Sequence, residues 1–216
     1  MRTWGPLGLG LLVSTLALSG PSALAADPLE APVDARPDQG EYSRLTQELE
    51  SLAERNAWSG AARTYEKLVA TGVPPSYQDL LYGAHAAQAV GNIGAVRARL
   101  LRAKEIREDK DVIESLWALD EAFASVDLQC DPQMGWVLSS ATRPFEPDQV
   151  RAIEFAIEQI ATTCHFDGYL PAGTYEFCGR PFDVRPGVST VGMDMRGLPV
   201  PKKQKKQAKK DKEAAE

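Results

Sequence analysis

Apolar residues recur at steps of three and four from residue 42 onward, and this spacing predicts a series of amphipathic helices. The apolar positions of the first two helices are Tyr42, Leu45, Leu49 and Leu52, followed by Trp58, Ala61, Tyr65 and Leu68. Asp38 is expected to cap the first helix, because Glu41 follows it three residues later as in a capping box.

The same spacing predicts three more helices between residues 76 and 124. Ser76 is the expected N-cap of the third helix, and Gly91-Asn92 marks its end. The fourth helix covers residues 96–103, and the fifth covers residues 111–124. The fifth helix carries Trp117, which we expect to pack in the core together with Trp58 of the second helix.

The second and fourth helices are related by an offset of 35 residues. The corresponding pairs are Trp58 and Ile93, Ala61 and Val96, Tyr65 and Leu100, and Leu68 and Ala103. A period in the mid-thirties with two helices per unit resembles the tetratricopeptide repeat, and the small residues Ala84, Ala87, Gly91 and Ala103 fit its close-packing positions. The resemblance implies helical hairpins whose concave side binds a partner, with Tyr77 and Tyr82 as candidate partner-binding residues. A plain antiparallel helical bundle is the alternative.

The pattern changes after Ser125, where alternating residues 126–130 predict a half-buried strand. Residues 136–138 are a second strand candidate, and Pro147 at a first helical position predicts a helix with Val150, Ile153, Ile157 and Ile160 on its apolar face. Strands are expected at residues 174–178, 182–185 and 189–195, with turns at Gly179-Arg180 and Pro186-Gly187.

The segment Leu170-Pro171-Ala172-Gly173-Thr174-Tyr175, followed by residues 182–187, resembles the PEGA-type β modules of bacterial envelope proteins. The resemblance covers about 20 residues and departs from the family in having a helix between the early and late strands. It implies a glycine-turn hairpin with Tyr175 and Phe177 on one face, in a structural or interaction module.

These patterns predict the α+β class, with N-terminal antiparallel helical hairpins packed against a small C-terminal sheet module that contains one helix. The predicted divisions are a signal peptide at 1–25, a flexible linker at 26–40, a tetratricopeptide-like region at 41–124, a PEGA-like α+β module at 125–200 and a disordered lysine-rich tail at 201–216.

The first 26 residues have the three parts of a secretory signal peptide: Arg2, an apolar run over residues 4–18, and the small-residue site Ala23-Leu24-Ala25. We therefore expect the mature protein to be periplasmic or secreted, without a transmembrane segment after cleavage. The apolar run is shorter than the roughly 20 residues of a spanning helix.

Charge is unevenly distributed along the chain. The net charge is −6, but the tail carries seven lysines against Asp211, Glu213 and Glu216, so the central body is strongly acidic. The tail lysines are Lys202, Lys203, Lys205, Lys206, Lys209, Lys210 and Lys212. An acidic body in an exported protein argues against nucleic-acid binding. The tail is interpreted as solubilising, as a binder of an anionic envelope polymer, or as a partner for an acidic surface.

Cys130, Cys164 and Cys178 are the disulfide candidates. In an oxidising compartment one disulfide and one remaining thiol are expected, and the spacing allows any of three pairings or an intermolecular bridge.

No motif of known catalytic chemistry stands out in the sequence. Cys164 and His165 are adjacent, so on a strand their side chains point to opposite faces, which argues against a nucleophile and base pair. A thiol enzyme that uses these two residues is the third and most distant alternative. Ligand pairs of metal sites and phosphate-binding loops are also missing from the sequence, so no catalytic, metal or cofactor residues are predicted. The sequence therefore favours a non-enzymatic exported adaptor that binds an envelope protein; the alternative is a binder of an anionic envelope polymer through the tail.

Overall fold

The computed structural model describes residues 38–131, 138–141, 144–187 and 190–197. The predicted leader, most of the predicted linker, Trp136 and the tail lysines lie outside the described residues. The helices are α1 (Gln39–Glu54), α2 (Trp58–Ala70), α3 (Tyr77–Ala89), α4 (Ile93–Ile106), α5 (Lys110–Ala122) and α6 (Pro147–Thr163). The strands are β1 (Phe123–Gln129), β2 (Leu138–Ser140), β3 (His165–Pro171), β4 (Gly173–Phe177), β5 (Arg180–Val184) and β6 (Val191–Asp194). The α+β class is confirmed.

Polar side chains begin the helices at the predicted places. The Asp38 carboxylate accepts a hydrogen bond from the Glu41 backbone N–H at 3.0 Å. Ser76 and Asp79 form a complete capping box at the start of α3. Such caps satisfy backbone donors that have no partner within the helix, and each typically stabilises a helix by about 1 kcal/mol. Both predicted caps are confirmed.

The 35-residue offset relates equivalent positions of α2 and α4. Trp58 and Ile93 are each the first residue of their helix. The following positions of both helices, Ala61, Tyr65, Leu68, Val96, Leu100 and Ala103, are all buried. Helices adjacent in sequence pack against each other from α1 to α5. The offset thus reflects a repeated packing pattern.

A hydrogen-bond network connects α1 with the start of α3. Asp79 is buried, and its carboxylate accepts hydrogen bonds from the Tyr42 hydroxyl and the Ser76 hydroxyl, each at 2.6 Å, and from the Ser76 backbone N–H at 3.0 Å. Burial, reinforced by the hydrogen bond to Asp79, raises the pKa of Tyr42. A buried carboxylate is tolerated because several donors surround it.

The strands form two three-stranded sheets. In the first, β1 is the central strand, antiparallel to β3 and parallel to β6. In the second, β4 lies between β2 and β5, and both pairings are antiparallel. The two sheets and α6 share one apolar core, in which Leu128, Ile160, Leu170, Tyr175 and Phe177 are almost completely buried. Tyr175 and Phe177 lie on one face, as predicted.

The structure differs from the predictions at the beginning of the sheet region. α5 ends at Ala122 rather than at residue 124, because Phe123 and Ala124 pair with Pro171 and Leu170 of β3. The sequence pattern does not predict strand β3 itself, because Gly168 and Pro171 interrupt it. Long-range pairing overrides the local helical signal here.

The hairpin of the second sheet is formed by a different segment from the one that the PEGA-type resemblance implies. Pro171 ends β3 and Gly173 begins β4, so this segment connects the two sheets. The hairpin turn is at Cys178 and Gly179, one residue earlier than predicted, and both residues have positive φ values of 56° and 75°. Positive φ at both central residues is the requirement of a tight type I′ hairpin turn.

Helical and sheet parts meet at a small apolar cluster of Ile93, Phe123 and Ala152, with Tyr169 packed against it. This contact gives the helices and the sheets a common interface. Within the described ranges, no helix is both long enough and apolar enough to cross a bilayer.

Candidate functional site

A cleft of about 650 Å³ lies between α3, α5 and the beginning of α6. Its apolar lining residues include Leu81, Ala84, Val96, Leu100, Val112, Leu119 and Phe123. Its polar lining residues include Tyr77, Gln78, His85, Gln88, Arg107, Asp109, Asp111, Ser115, Glu146, Asp148 and Gln149. The apolar side chains are mostly buried and form the floor, and the polar side chains are more exposed and form the rim. A concave surface that combines apolar and polar groups is suited to binding a ligand.

Tyr77 and Asp109 form the polar end of the cleft. The Tyr77 hydroxyl donates to the Asp109 carboxylate at 2.8 Å, and the Arg107 guanidinium donates to the same oxygen at 2.7 Å. The Arg107 guanidinium also lies 3.8 Å from the centre of the Tyr77 ring, a cation–π contact. The hydrogen bonds from Tyr77, Arg107 and the Asp111 backbone hold the pKa of Asp109 below its usual value. Tyr77 is thus fixed in position before any ligand binds.

At the other end of the cleft, α3 is linked to the first turn of α6. The Gln88 side-chain amide donates to the Asp148 carboxylate at 2.6 Å, and Arg151 pairs with the other oxygen of the same carboxylate. These contacts connect the helical region with the sheet region and fix the width of the cleft at this end.

The cleft is acidic. Four carboxylates line it, against the single guanidinium of Arg107, which gives a formal charge of −3 with His85 neutral. Asp109 and Asp148 have hydrogen-bond partners within the protein, whereas the exposed side chains of Asp111 and Glu146 make no hydrogen bond or ion pair with another described residue. These two carboxylates are available to a cationic ligand.

The structure does not bring the two predicted partner-binding tyrosines together. Both rings pack against the core formed by α1, α2, α3 and Ala103 of α4, but Tyr77 also lines the cleft and Tyr82 does not. Five residues along a helix correspond to a rotation of about 140°, which explains the separation. A role of Tyr82 in partner binding remains a prediction.

The tryptophan predictions have different outcomes. Trp58 packs against the helical core, and its ring centre lies 5.9 Å from that of His85. Trp117 is 70% exposed, so its predicted core position is wrong. Leu116 is the neighbouring residue that α5 buries, and one position along a helix rotates a side chain by about 100°.

The three cysteines, far apart in sequence, form a cysteine cluster in the sheet core. Cys130 follows β1, Cys164 ends α6 in a left-handed conformation with φ 54°, and Cys178 lies in the β4–β5 turn. Cys130 and Cys178 are buried and Cys164 is partly exposed, and all three are free thiols in the structure. Burial raises the pKa of Cys178 to about 12, and burial together with a hydrogen bond to Cys164 raises the pKa of Cys130. The predicted disulfide therefore remains a prediction.

Cys164 and His165 point into different surroundings, because Cys164 is the left-handed cap of α6 and His165 begins β3. The Cys164 side chain packs against the sheet core, whereas His165 is exposed and its Nε2 lies 3.3 Å from a carboxylate oxygen of Asp127. The imidazole of His165 thus contacts a carboxylate of the neighbouring strand β1, and not the Cys164 thiol. In the part of the chain that the structure describes, no group of three metal-ligating side chains is found.

Sequence reasoning misses the acidic groups of the cleft. The local pattern indicates a solvated helix start at Asp109 and Asp111, and the opening of a helix at Glu146 and Asp148. Both interpretations are right locally, but the two helix starts lie on the same cleft. The only signal in the sequence is the acidic character of two helix N-termini.

Comparison with protein-family models, curated proteins and solved structures gives no significant match to this chain.

Proposed function

We propose that the protein is a non-enzymatic adaptor, exported to the cell envelope, that binds a segment of a partner protein in the cleft between α3, α5 and α6. The observation that carries this proposal is the combination of an apolar floor and an acidic rim in one cleft of about 650 Å³. This volume is within the range of about 300–1,000 Å³ typical of ligand sites.

The lining specifies the chemistry of the segment. Leu81, Val96 and Leu119 offer an apolar floor, which favours a segment with aliphatic or aromatic side chains. Asp111 and Glu146 offer carboxylates that have no side-chain partner among the described residues, which favours a lysine or arginine beside those apolar residues. Charge complementarity of this kind selects a partner and accelerates binding more than it increases affinity.

Selection of short random peptides on the purified protein tests the proposal even though the partner is unidentified. Enriched peptides should combine apolar residues with a lysine or arginine. Ala118 is exposed and lines the cleft, so Ala118→Trp should block it and abolish binding. Ala70→Trp is the control, because Ala70 is exposed at the end of α2 and does not line the cleft. Peptides that bind both variants equally would contradict the proposal.

Two isosteric substitutions, one at the N-cap of α6 and one within α6, test whether the negative charge of the cleft contributes to binding. Glu146 lines the cleft and its side chain makes no capping hydrogen bond, so Glu146→Gln removes a charge without disturbing the helix. We expect it to weaken binding of the selected peptides by about two- to fivefold, the usual effect of an exposed charge. Glu154→Gln, on an exposed position of α6 outside the cleft, should leave binding unchanged.

The lysine-rich tail carries the second candidate function, binding of an anionic envelope polymer. Its support is the charge pattern of seven lysines in residues 202–212. Removal of residues 202–216 should abolish sedimentation with isolated envelope material, and added salt should do the same for the full chain. Cleft-specific peptides should bind the truncated and full-length proteins alike, which separates the two candidates.

A further inference from the structure

Cys130 and Cys164 occupy directly opposed positions at the end of the β1–β3 ladder. Gln129 pairs with His165 in this antiparallel ladder, so the next pair in the same register is Cys130 with Cys164. The Cys130 backbone N–H donates to the Cys164 carbonyl oxygen at 2.8 Å, which continues the pairing beyond the last strand residues. The Cys164 backbone N–H bonds Ile160 of α6 instead, so this pair makes one of the two hydrogen bonds of a ladder pair. Hydrogen-bonded residues of antiparallel strands have Cα atoms about 5.5 Å apart, within the range that a disulfide requires.

The side chains of these two residues share one environment. Cys130 belongs to the sheet core and Cys164 packs against that core, and burial together with the neighbouring Cys164 thiol raises the pKa of Cys130. Cys178 lies near them but belongs to the turn of the other sheet, and no hydrogen bond joins it to either thiol among the described residues. Its side chain is completely buried, so solvent reagents cannot reach it.

We infer that Cys130 and Cys164 form the disulfide of this protein and that Cys178 remains a buried thiol. The pairing follows from the shared ladder position, the backbone hydrogen bond between the two residues and the core that both side chains contact. It also excludes an intermolecular bridge, since the remaining thiol is the one with no exposed surface.

The bond forms by thiol–disulfide exchange with a small-molecule disulfide such as oxidised glutathione. The partly exposed Cys164 thiol loses its proton to water, and its sulfur attacks one glutathione sulfur, which forms a mixed disulfide and expels one glutathione thiolate. The Cys130 thiol then gives its proton to solvent and attacks the Cys164 sulfur, which expels the second glutathione thiolate. Two cysteine thiols are oxidised, and one glutathione disulfide is reduced to two glutathione molecules.

Peptide mapping of the full chain tests the inference directly. The protein is equilibrated with oxidised glutathione, free thiols are blocked with an alkylating reagent, and the peptides are analysed without reduction. We expect a Cys130–Cys164 linked peptide, and alkylation of Cys178 only after denaturation. A map that links Cys178 to either cysteine, or three alkylated cysteines after oxidation, would overturn the pairing.

Single variants provide a second measurement. The intact mass of Cys178→Ala should still fall by two hydrogens on oxidation, which reports one disulfide. The variant should run as a monomer on a non-reducing gel. Cys130→Ala and Cys164→Ala should each lose the intramolecular bond. A Cys178→Ala protein that no longer oxidises, while its circular dichroism is that of the wild type, would contradict the inference independently of the map.

Discussion

Gly91 lies directly against the backbone of Arg151, where the helical region meets α6. A Cβ atom placed on Gly91 would lie 2.2 Å from the Arg151 carbonyl oxygen, far closer than any allowed contact. Gly91 also has a φ of +83°, in the left-handed region that other residues avoid. Gly91, which follows the C-cap of α3, therefore sets how closely α3 and α6 approach, and α6 supplies one wall of the cleft.

Gly91→Ala should destabilise the protein by about 2–4 kcal/mol, because the left-handed strain and the steric overlap act together. Gly72→Ala is a matched control: its φ is +75°, but nothing lies within 4 Å of the added Cβ. That variant should lose only about 1 kcal/mol. Urea denaturation of both variants measures the difference, and equal losses would show that α3 and α6 do not approach closely in solution.

Tyr77→Phe should reduce stability modestly at neutral pH, and the loss should disappear in acid. The Tyr77 hydroxyl is the largest cause of the lowered pKa of Asp109, whose ordinary value is 3.8. Because the folded pKa is the lower one, this contribution is complete above pH 3.8 and is lost as the pH falls through the folded pKa.

The measurement is urea denaturation of wild type and Tyr77→Phe at neutral pH and at a series of acid pH values that reaches below the lowered folded pKa of Asp109. Tyr82→Phe is the control, since the Tyr82 hydroxyl makes no hydrogen bond with another described residue. If the free energies of unfolding of wild type and Tyr77→Phe differ by the same amount at every pH, the result would argue against the Tyr77–Asp109 hydrogen bond.

Asp79→Ala should cost about 2–4 kcal/mol, because it removes the shared acceptor of Tyr42 and Ser76 from a buried site. Asp120→Ala should change stability by less than about 1 kcal/mol, since the Asp120 side chain is half exposed in its ion pair with Arg97. Thermal or urea denaturation of the two variants checks this order. A larger loss for Asp120→Ala would show that the network around Asp79 does not hold α1 to α3.

Local signals in the sequence predict the helices well, because their starts depend on capping residues close in sequence. Ser76 and Asp79 act within one turn of α3. The spacing alone places the fourth helix at 96–103, and the observed helix extends three residues further at each end, from Ile93 to Ile106. Strand β3 could not be predicted in this way. Its Gly168 and Pro171 are poor strand residues, and their conformation depends on pairing with β1, which begins 42 residues earlier in the chain (165 − 123).

The sites are harder to predict than the fold, because each of them combines distant segments. Tyr77, Asp109 and Glu146 belong to three separate helix starts, and nothing in their local sequence places them on one cleft. The apolar pattern also does not determine whether Trp117 faces the core or the solvent. Leu116 and Trp117 are adjacent, and only one of them can face the core.

The most direct test of the adaptor function is site-specific photocrosslinking in the producing cell. A photoreactive residue at Gln78, which is exposed and lines the cleft, should yield a discrete adduct with one protein. The adduct should disappear when Ala118→Trp fills the cleft, and the same photoreactive residue at Glu50, exposed on α1, should not form it. If the Gln78 adduct persists in Ala118→Trp, or if Glu50 captures the same protein, the cleft is not the partner-binding site.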